Sequence, residues 1–271
     1  MDHGLSSINC MKKLTILKIG GNVLDDTSFL QSMLDNFASM NGYKILIHGG
    51  GKIANVIMKQ MGLEPKMVDG RRITDEKTLE VVTQVYAGLI NKNLVSQLQA
   101  RACNAIGLTG ADANTIPAVI RPVKEIDYGF VGDIDVSMIN ALTIQGLLEM
   151  GLVPVFAPLT HDSHGTLLNT NADTIASSLA IALAKAFTVK LIYCFEKNGV
   201  LSDPNNESSV INIITEKDFG GYKANGTIHS GMIPKLDNAF AALKSGVSEI
   251  AICGPAAFNT ISFIPGTTIH L

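Results

Sequence analysis

Short apolar runs recur along this chain, and between them lie longer stretches in which apolar residues return every three or four positions. The short runs are Leu14–Ile19, Lys44–His48, Ala105–Thr109, Val153–Ala157, Lys190–Cys194, Glu249–Cys253 and Thr267–Leu271. Their near-continuous apolar character predicts strands covered on both faces, as in a parallel sheet. The periodic stretches predict helices over Lys52–Met61, Asp75–Tyr86, Leu89–Cys103, Ser137–Met150, Ala172–Lys185 and Ile233–Ser245. Another helix is expected after Thr27 or Ser28 as its cap, with Phe29, Leu30, Met33, Leu34 and Phe37 forming the buried stripe. Strands alternating with helices predict an α/β protein, a three-layer α/β/α sandwich around a mainly parallel central sheet.

Two stretches depart from this rhythm. Pro117–Asp135 alternates and carries the turn Tyr128-Gly129-Phe130-Val131-Gly132-Asp133, which predicts hairpins that form a flap over a ligand. Leu63–Thr74 is irregular, with Pro65 and the turn Asp69-Gly70-Arg71-Arg72. Neither an internal repeat nor a low-complexity linker interrupts the chain, so a lobe boundary is expected near the helix that begins at Ala172.

Composition narrows the classes. The 271 residues are 46% hydrophobic and 17% charged, enough for a substantial core. A formal net charge of -3 supplies no basic face for nucleic acid. No apolar run approaches the roughly 20 residues that span a bilayer, and residues 1–10 lack the regions of a secretory signal. Met11 serves equally well as a natural start. Cys10, Cys103, Cys194 and Cys253 are scattered with no C-x-x-C pair, which predicts a reduced, cytoplasmic setting without disulfides or zinc. His161 and His164 make an H-x-x-H loop with no evident third ligand, so solvation rather than metal binding is expected.

The chemistry is carried by two glycine turns, each after a strand: Lys18-Ile19-Gly20-Gly21-Asn22 and His48-Gly49-Gly50-Gly51-Lys52. Glycine lets backbone N–H groups approach an anion, and a following helix turns its positive end to the same point. A Walker-type loop is excluded, because Ile53 rather than Ser or Thr follows Gly51-Lys52. Gly49, Gly51 and Ala54 satisfy a dinucleotide fingerprint, with Asp69 as its downstream acid. That acid should end a second apolar strand, whereas only Met67-Val68 precede it and two arginines follow. An NAD(P)-binding oxidoreductase is therefore the weaker alternative. His48 is expected to pack beneath its loop rather than to do chemistry.

Lys18-Ile19-Gly20-Gly21, His48-Gly49-Gly50-Gly51, Asn169-Thr170-Asn171-Ala172-Asp173 and Gly231-Met232-Ile233-Pro234-Lys235 follow in that order. Gly110-Ala111-Asp112 and Gly129-Phe130-Val131-Gly132-Asp133 lie between them. In this ordered set the chain resembles the amino-acid kinase family, from about Lys12 to the C-terminus. The resemblance implies that fold, and transfer of the ATP γ-phosphoryl group to the side-chain carboxylate of an N-acylated glutamate, a step of arginine biosynthesis. A glutamate side chain titrates near roughly 4.3, so such an acceptor is already ionised and no general base is needed. What such a reaction requires is positive charge, backbone donors and Mg²⁺.

By the same resemblance Lys18 and Lys235 are the catalytic cations and Asp173 organises them. Arg72 forks onto the acceptor's α-carboxylate, with Asn169, Gly49 and Gly50 also around the acceptor. Gly20, Gly21, Glu196, Lys197, Gly199, Val200, Leu201 and Gly231 serve the nucleotide, and no side chain is expected to hold a metal directly. Residues 1–175 would form an N-terminal lobe for acylglutamate binding and dimerisation, and residues 176–271 a nucleotide-binding lobe. The short segment before the first strand implies an arginine-insensitive homodimer. The acyl group is open: acetyl is the family default, and the 117–135 region leaves room for succinyl. Three positions depart from the family pattern: Phe195-Glu196-Lys197 where an Asp-Val pair is usual, Ala113 where Gly commonly follows Asp112, and Pro234 before the second lysine. A non-catalytic sensor of nucleotide or amino acid is the remaining alternative, although both lysines and the aspartate are present.

Overall fold

The computed structural model describes residues 11–68, 70–228, 232–254, 257 and 266–271, with the side chains of Asn22 and Pro234 left aside. Eight strands make one sheet: β1 (Lys13–Ile19), β2 (Tyr43–His48), β3 (Ala105–Leu108), β4 (Val153–Phe156), β5 (Thr188–Cys194), β6 (Ile213–Thr215), β7 (Glu249–Cys253) and β8 (Thr267–His270). Their order is β6-β8-β7-β5-β1-β2-β4-β3. All neighbouring pairs are parallel except β7 with β8. The helices are α1 (Gly21–Asp25), α2 (Thr27–Ser39), α3 (Gly51–Gln60), α4 (Glu76–Thr83), α5 (Asn91–Gln99), α6 (Ala141–Glu149), α7 (Ala172–Leu183), α8 (Glu216–Asn225) and α9 (Ile233–Lys244). No helix among the described residues is long and apolar enough to cross a membrane.

Strand alternation sets the layers. Leu14 and Ile16 of β1 pack with α6, α7, α8 and α9, while Leu17 and Ile19 pack with α2, α3, α4 and α5. Lys18 continues the first set, so the period of two aims it at the layer that contains α7. The predicted three-layer α/β/α architecture is therefore the observed one.

Local differences have local causes. The cap of α2 is Asp26, not Thr27 or Ser28: its carboxylate accepts from Phe29 N at 3.0 Å, and Thr27 is already helical. The helix expected from Ser137 starts at Ala141, because Asn140 Oδ1 caps it by accepting from Thr143 N, and a separate 3₁₀ turn, Val136–Met138, precedes it and ends at Ile139. The helices expected on either side of Gly88 join through a π-helical stretch, Gln84–Ile90. This stretch puts Tyr86 and Ile90 beneath Gly50, where a Cβ would come within 2.8 Å of Tyr86 Cδ1 and 2.6 Å of Ile90 Cδ1. Only glycine fits that turn.

The Pro117–Asp135 region is a hairpin, as expected, with Val119 opposite Asp133 and Ile120 opposite Gly132. Gly129 sits at φ +67 with its missing Cβ 2.3 Å from Thr74 O, which lets the tip lie against the strand end at Thr74. Thr74 N donates to Tyr128 O at 2.8 Å and Phe130 N donates to Thr74 O at 2.8 Å. Ala113, standing where glycine was expected, takes a left-handed φ of 50. That costs a residue with a Cβ roughly 1 kcal/mol.

Candidate active site

The C-terminal ends of β1, β2, β4 and β5 converge at the middle of the sheet, the usual place for a ligand in an open α/β fold. Lys18, next to last in β1, is 6% exposed, and its ammonium lies 2.6 Å from Asp173 Oδ1. Asp173 is in the first turn of α7. Asn171 caps that helix, accepting from Asp173 N at 2.8 Å and Thr174 N at 3.1 Å. Asn171 is thus a structural member of its motif, and it fixes where the carboxylate begins.

Lys235 reaches the same place from the first turn of α9, which begins at Ile233 and carries Pro234, a residue suited to that position. The ring of Phe195, just past β5, lies under both lysines: the Lys18 ammonium is 4.7 Å and the Lys235 ammonium 3.6 Å from its centre. Burial pushes the Lys235 ammonium below the usual lysine range; Asp173 opposes this, Lys18 adds to it and Glu196 opposes it. A half-dry cation between those groups is an anion seat.

Two cavities meet here. One, of about 390 Å³, is lined by Lys18, Gly20, Gly21, Phe195, Glu196, Lys197, Gly199, Met232 and Lys235. The other, of about 460 Å³, is lined by Gly49, Gly50, Arg72, Arg121, Asp133 and Asn169 among others. Gly51 borders both.

In the larger cavity Arg72 is 6% exposed and braced by Gly51 O at 3.0 Å and Met58 Sδ at 3.2 Å. Asn169 Nδ2 donates to Thr74 Oγ1 at 2.9 Å, tying the Leu167–Asn169 strand to the segment that carries Arg72. Tyr86 lines the same wall, its phenol pushed up by burial and partly restrained by Arg72. Sequence reasoning missed Arg121, which also faces this cavity. Its Nε donates to Asp133 Oδ1 at 3.1 Å and its guanidinium lies 5.3 Å from the Tyr128 ring. The hairpin register was the signal that could have found it.

Several expected roles change. The N–H of Gly20 donates to Cys194 O at 3.1 Å and that of Gly49 to Ile19 O at 3.0 Å, so neither is available to a ligand. Gly21, at the start of α1, and Gly50 and Gly51, at the start of α3, are the turn glycines left beside the cavities as backbone donors. Val200 is 1% exposed with its N–H on Thr267 Oγ1 at 2.8 Å, and Leu201 bridges Val210; neither lines either of these two cavities. Lys197 lines the smaller cavity but pairs with Glu207 at 2.8 Å on the surface. Gly231, Asp69 and Cys10 lie outside the described residues. Met67–Val68 pairs with Arg71–Arg72 in a hairpin apart from the main sheet, so the strand that a dinucleotide fold needs before its acid is not there.

His48 is fully buried under its loop. Its Nδ1 meets Gly49 O at 2.7 Å and its Nε2 meets Asn91 Nδ2 at 3.2 Å, an arrangement that needs the neutral ring with Nδ1–H as donor. Burial pushes its pKa from 6.5 down to about 4, against the bond to Gly49. The unfolded chain takes up this proton as the pH falls below its own value, while the folded ring refuses it until about pH 4, so stability drops through that window. The expected loss between about pH 7 and about pH 4.5 is about 2 kcal/mol, and urea unfolding at those two values checks it: His48→Gln should lose less stability than the wild type.

Residues 13–254 match the amino acid kinase family. An acetylglutamate kinase of Phocaeicola vulgatus is 54% identical over 92% of this chain and 96% of its own length. One of Cytophaga hutchinsonii is 56% identical over 90% of this chain and 92% of its own. Among solved structures, the N-acetylglutamate synthase of Neisseria gonorrhoeae superposes with a TM-score of 0.79 at 20% identity, covering 95% of this chain and 59% of that one, a likeness of fold. The chain belongs to the amino acid kinase family.

Proposed function

We propose that this chain is an ATP-dependent kinase of the side-chain carboxylate of N-acetyl-L-glutamate, serving arginine biosynthesis. The curated relatives at 54% and 56% identity bear the name acetylglutamate kinase and are matched over nearly their whole length. What carries the reading is that Gly51 borders both a cavity with a buried arginine and one with two converging lysines. Arg72 binds the acceptor's α-carboxylate as a planar fork, and Asn169 and the Gly50 N–H complete its seat.

The acceptor carboxylate oxygen attacks the γ-phosphorus as the bond from that phosphorus to the β,γ-bridging oxygen breaks, leaving an acyl phosphate and ADP. Charge accumulates on the transferring oxygens and on the leaving β-phosphate. Lys18 is assigned to the first and Lys235 to the second, while Asp173 holds Lys18 in line without exchanging a proton. No three His, Cys, Asp or Glu side chains converge among the described residues, and the donors here are cationic. They fit a polyphosphate anion, and Mg²⁺ bound with the nucleotide would supply further charge neutralisation.

Residues 1–175 are assigned to acceptor binding and dimerisation, and residues 176–271 to the nucleotide. Exposed Val119, Ile120 and Val123 on the hairpin and Leu142 on α6 support a homodimer. Sedimentation should give a dimer; a monomer would contradict this. A cytoplasmic setting accords with the three buried free cysteines, Cys103, Cys194 and Cys253.

The test is ADP formation by purified protein with MgATP. Release that depends on N-acetylglutamate is expected. ATP and acylglutamate binding without turnover would make the chain a sensor instead, and equal turnover of N-succinylglutamate would widen the acceptor class.

A further inference from the structure

Two like charges have been brought to one spot, and only one of them has a carboxylate partner. Asp173 meets Lys18 at 2.6 Å. Lys235 has no carboxylate within ion-pair distance among the described residues; what its ammonium meets, at 3.6 Å from the ring centre, is Phe195. The Lys18 ammonium lies 4.7 Å from the same ring. Both distances are within the reach of a cation–π attraction.

The ring is itself held. Phe195 N donates to Cys253 O at 2.9 Å, which fixes the backbone where β5 ends. The Tyr193 ring, buried two residues earlier on the same strand face, lies parallel to it at 3° with centres 6.0 Å apart. An acidic side chain at this position would pair with a lysine and occupy its N–H donors. An aromatic face attracts a cation without accepting those donors in directed hydrogen bonds, so the N–H groups stay available for phosphoryl oxygens.

We propose that Phe195 is a positioning residue for phosphoryl transfer, its π face seating the Lys18 and Lys235 ammonium groups over one ring so that both meet the same phosphate. This rests on the phosphotransferase reading above. The ring acts through the lysines, and the charged groups facing Lys235 besides the ring are Lys18 from β1, Asp173 from α7 and Glu196 next to Phe195.

The experiment replaces Phe195 by mono-, di- and trifluorinated phenylalanine, which keep the ring's shape while draining its negative face, with Phe195→Leu as a shape control. The expected result is a stepwise fall in kcat, to about a tenth with the trifluorinated ring, at constant KM for N-acetylglutamate. The Lys235 titration midpoint, followed by NMR on ¹³C-lysine-labelled protein, should fall in the same steps, because a weaker π face stabilises the cation less. A midpoint and a kcat that are both indifferent to fluorination, whatever Phe195→Leu does, overturn the proposal and leave the ring a packing residue. If the wild-type protein forms no acylglutamate-dependent ADP, it is the functional reading that fails, and the Lys235 midpoint across the series still decides the platform.

Discussion

Lys18→Ala is expected to lower kcat by about 10²–10³-fold with little change in KM for N-acetylglutamate, the signature of an interaction made in the transition state. Strand periodicity puts position 18 on the face toward α7, where its ammonium stands 2.6 Å from Asp173 and 4.7 Å from the Phe195 ring. Removing it takes away one of two cations aimed at the transferring group and leaves the Asp173 carboxylate, 18% exposed, facing that group with like charge. Lys18→Met, which restores the lost volume, should be as slow as the alanine, so that packing is excluded as the cause. In a double-mutant cycle, Asp173→Ala should cost less in the Lys18→Ala background than in the wild type, since the two act as a unit. Steady-state kinetics with fixed saturating ATP checks all three. Near-wild-type kcat in Lys18→Ala would remove this lysine from the mechanism.

The second large effect is on binding. Arg72→Lys is expected to raise KM for N-acetylglutamate about a hundredfold, roughly 3 kcal/mol, while kcat falls by much less. Lysine keeps the charge but loses the planar fork, and it cannot hold Gly51 O and a carboxylate with the same geometry. Because Arg72 is 6% exposed and also braced on Met58, part of the change will appear as lost stability. Thermal unfolding with and without N-acetylglutamate separates the two: the ligand-induced rise in Tm should vanish in the variant even where the unliganded Tm falls. An unchanged KM would place the acceptor elsewhere.

Much of the fold could be read from the residues because the central strands are covered on both faces and so are apolar throughout. The element most easily missed was β6, three residues at the sheet edge with Ile213 57% exposed, where a continuous apolar run is not required. Helix α8 buries only Phe219, so it has no stripe to find; its local marks were the Thr215–Asp218 capping box and the left-handed Gly226 at its end. The π-helical stretch broke the three-to-four spacing at Gly88 and split one helical run in two.

At the site, the motifs picked out residues that the fold brings to the two cavities: Lys18, Lys235, Arg72 and Asn169 line them, and Asp173 pairs with Lys18. Partnerships between residues far apart in the chain were not legible. That Gly20 and Gly49 give their N–H groups to Cys194 and Ile19 is a fact of strand adjacency, invisible locally. Val200 and Leu201 looked like nucleotide contacts from their motif, yet Val200 is buried with its N–H on Thr267 and Leu201 bridges Val210. Phe195 read as a departure from the pattern, and its place under two ammonium groups emerges only when β1, β5 and α9 come together.

The central claim is that cations from opposite ends of the chain act on one phosphoryl group. Its most direct test is a crystal structure with MgADP, an aluminium fluoride in the γ position and N-acetylglutamate. The Lys18 and Lys235 ammonium groups are both expected within hydrogen-bond distance of the planar fluoride or its bridging oxygen, with the acceptor carboxylate in line on the Arg72 side. Either lysine turned away from that group, with the transferring phosphoryl held by other residues, would contradict it.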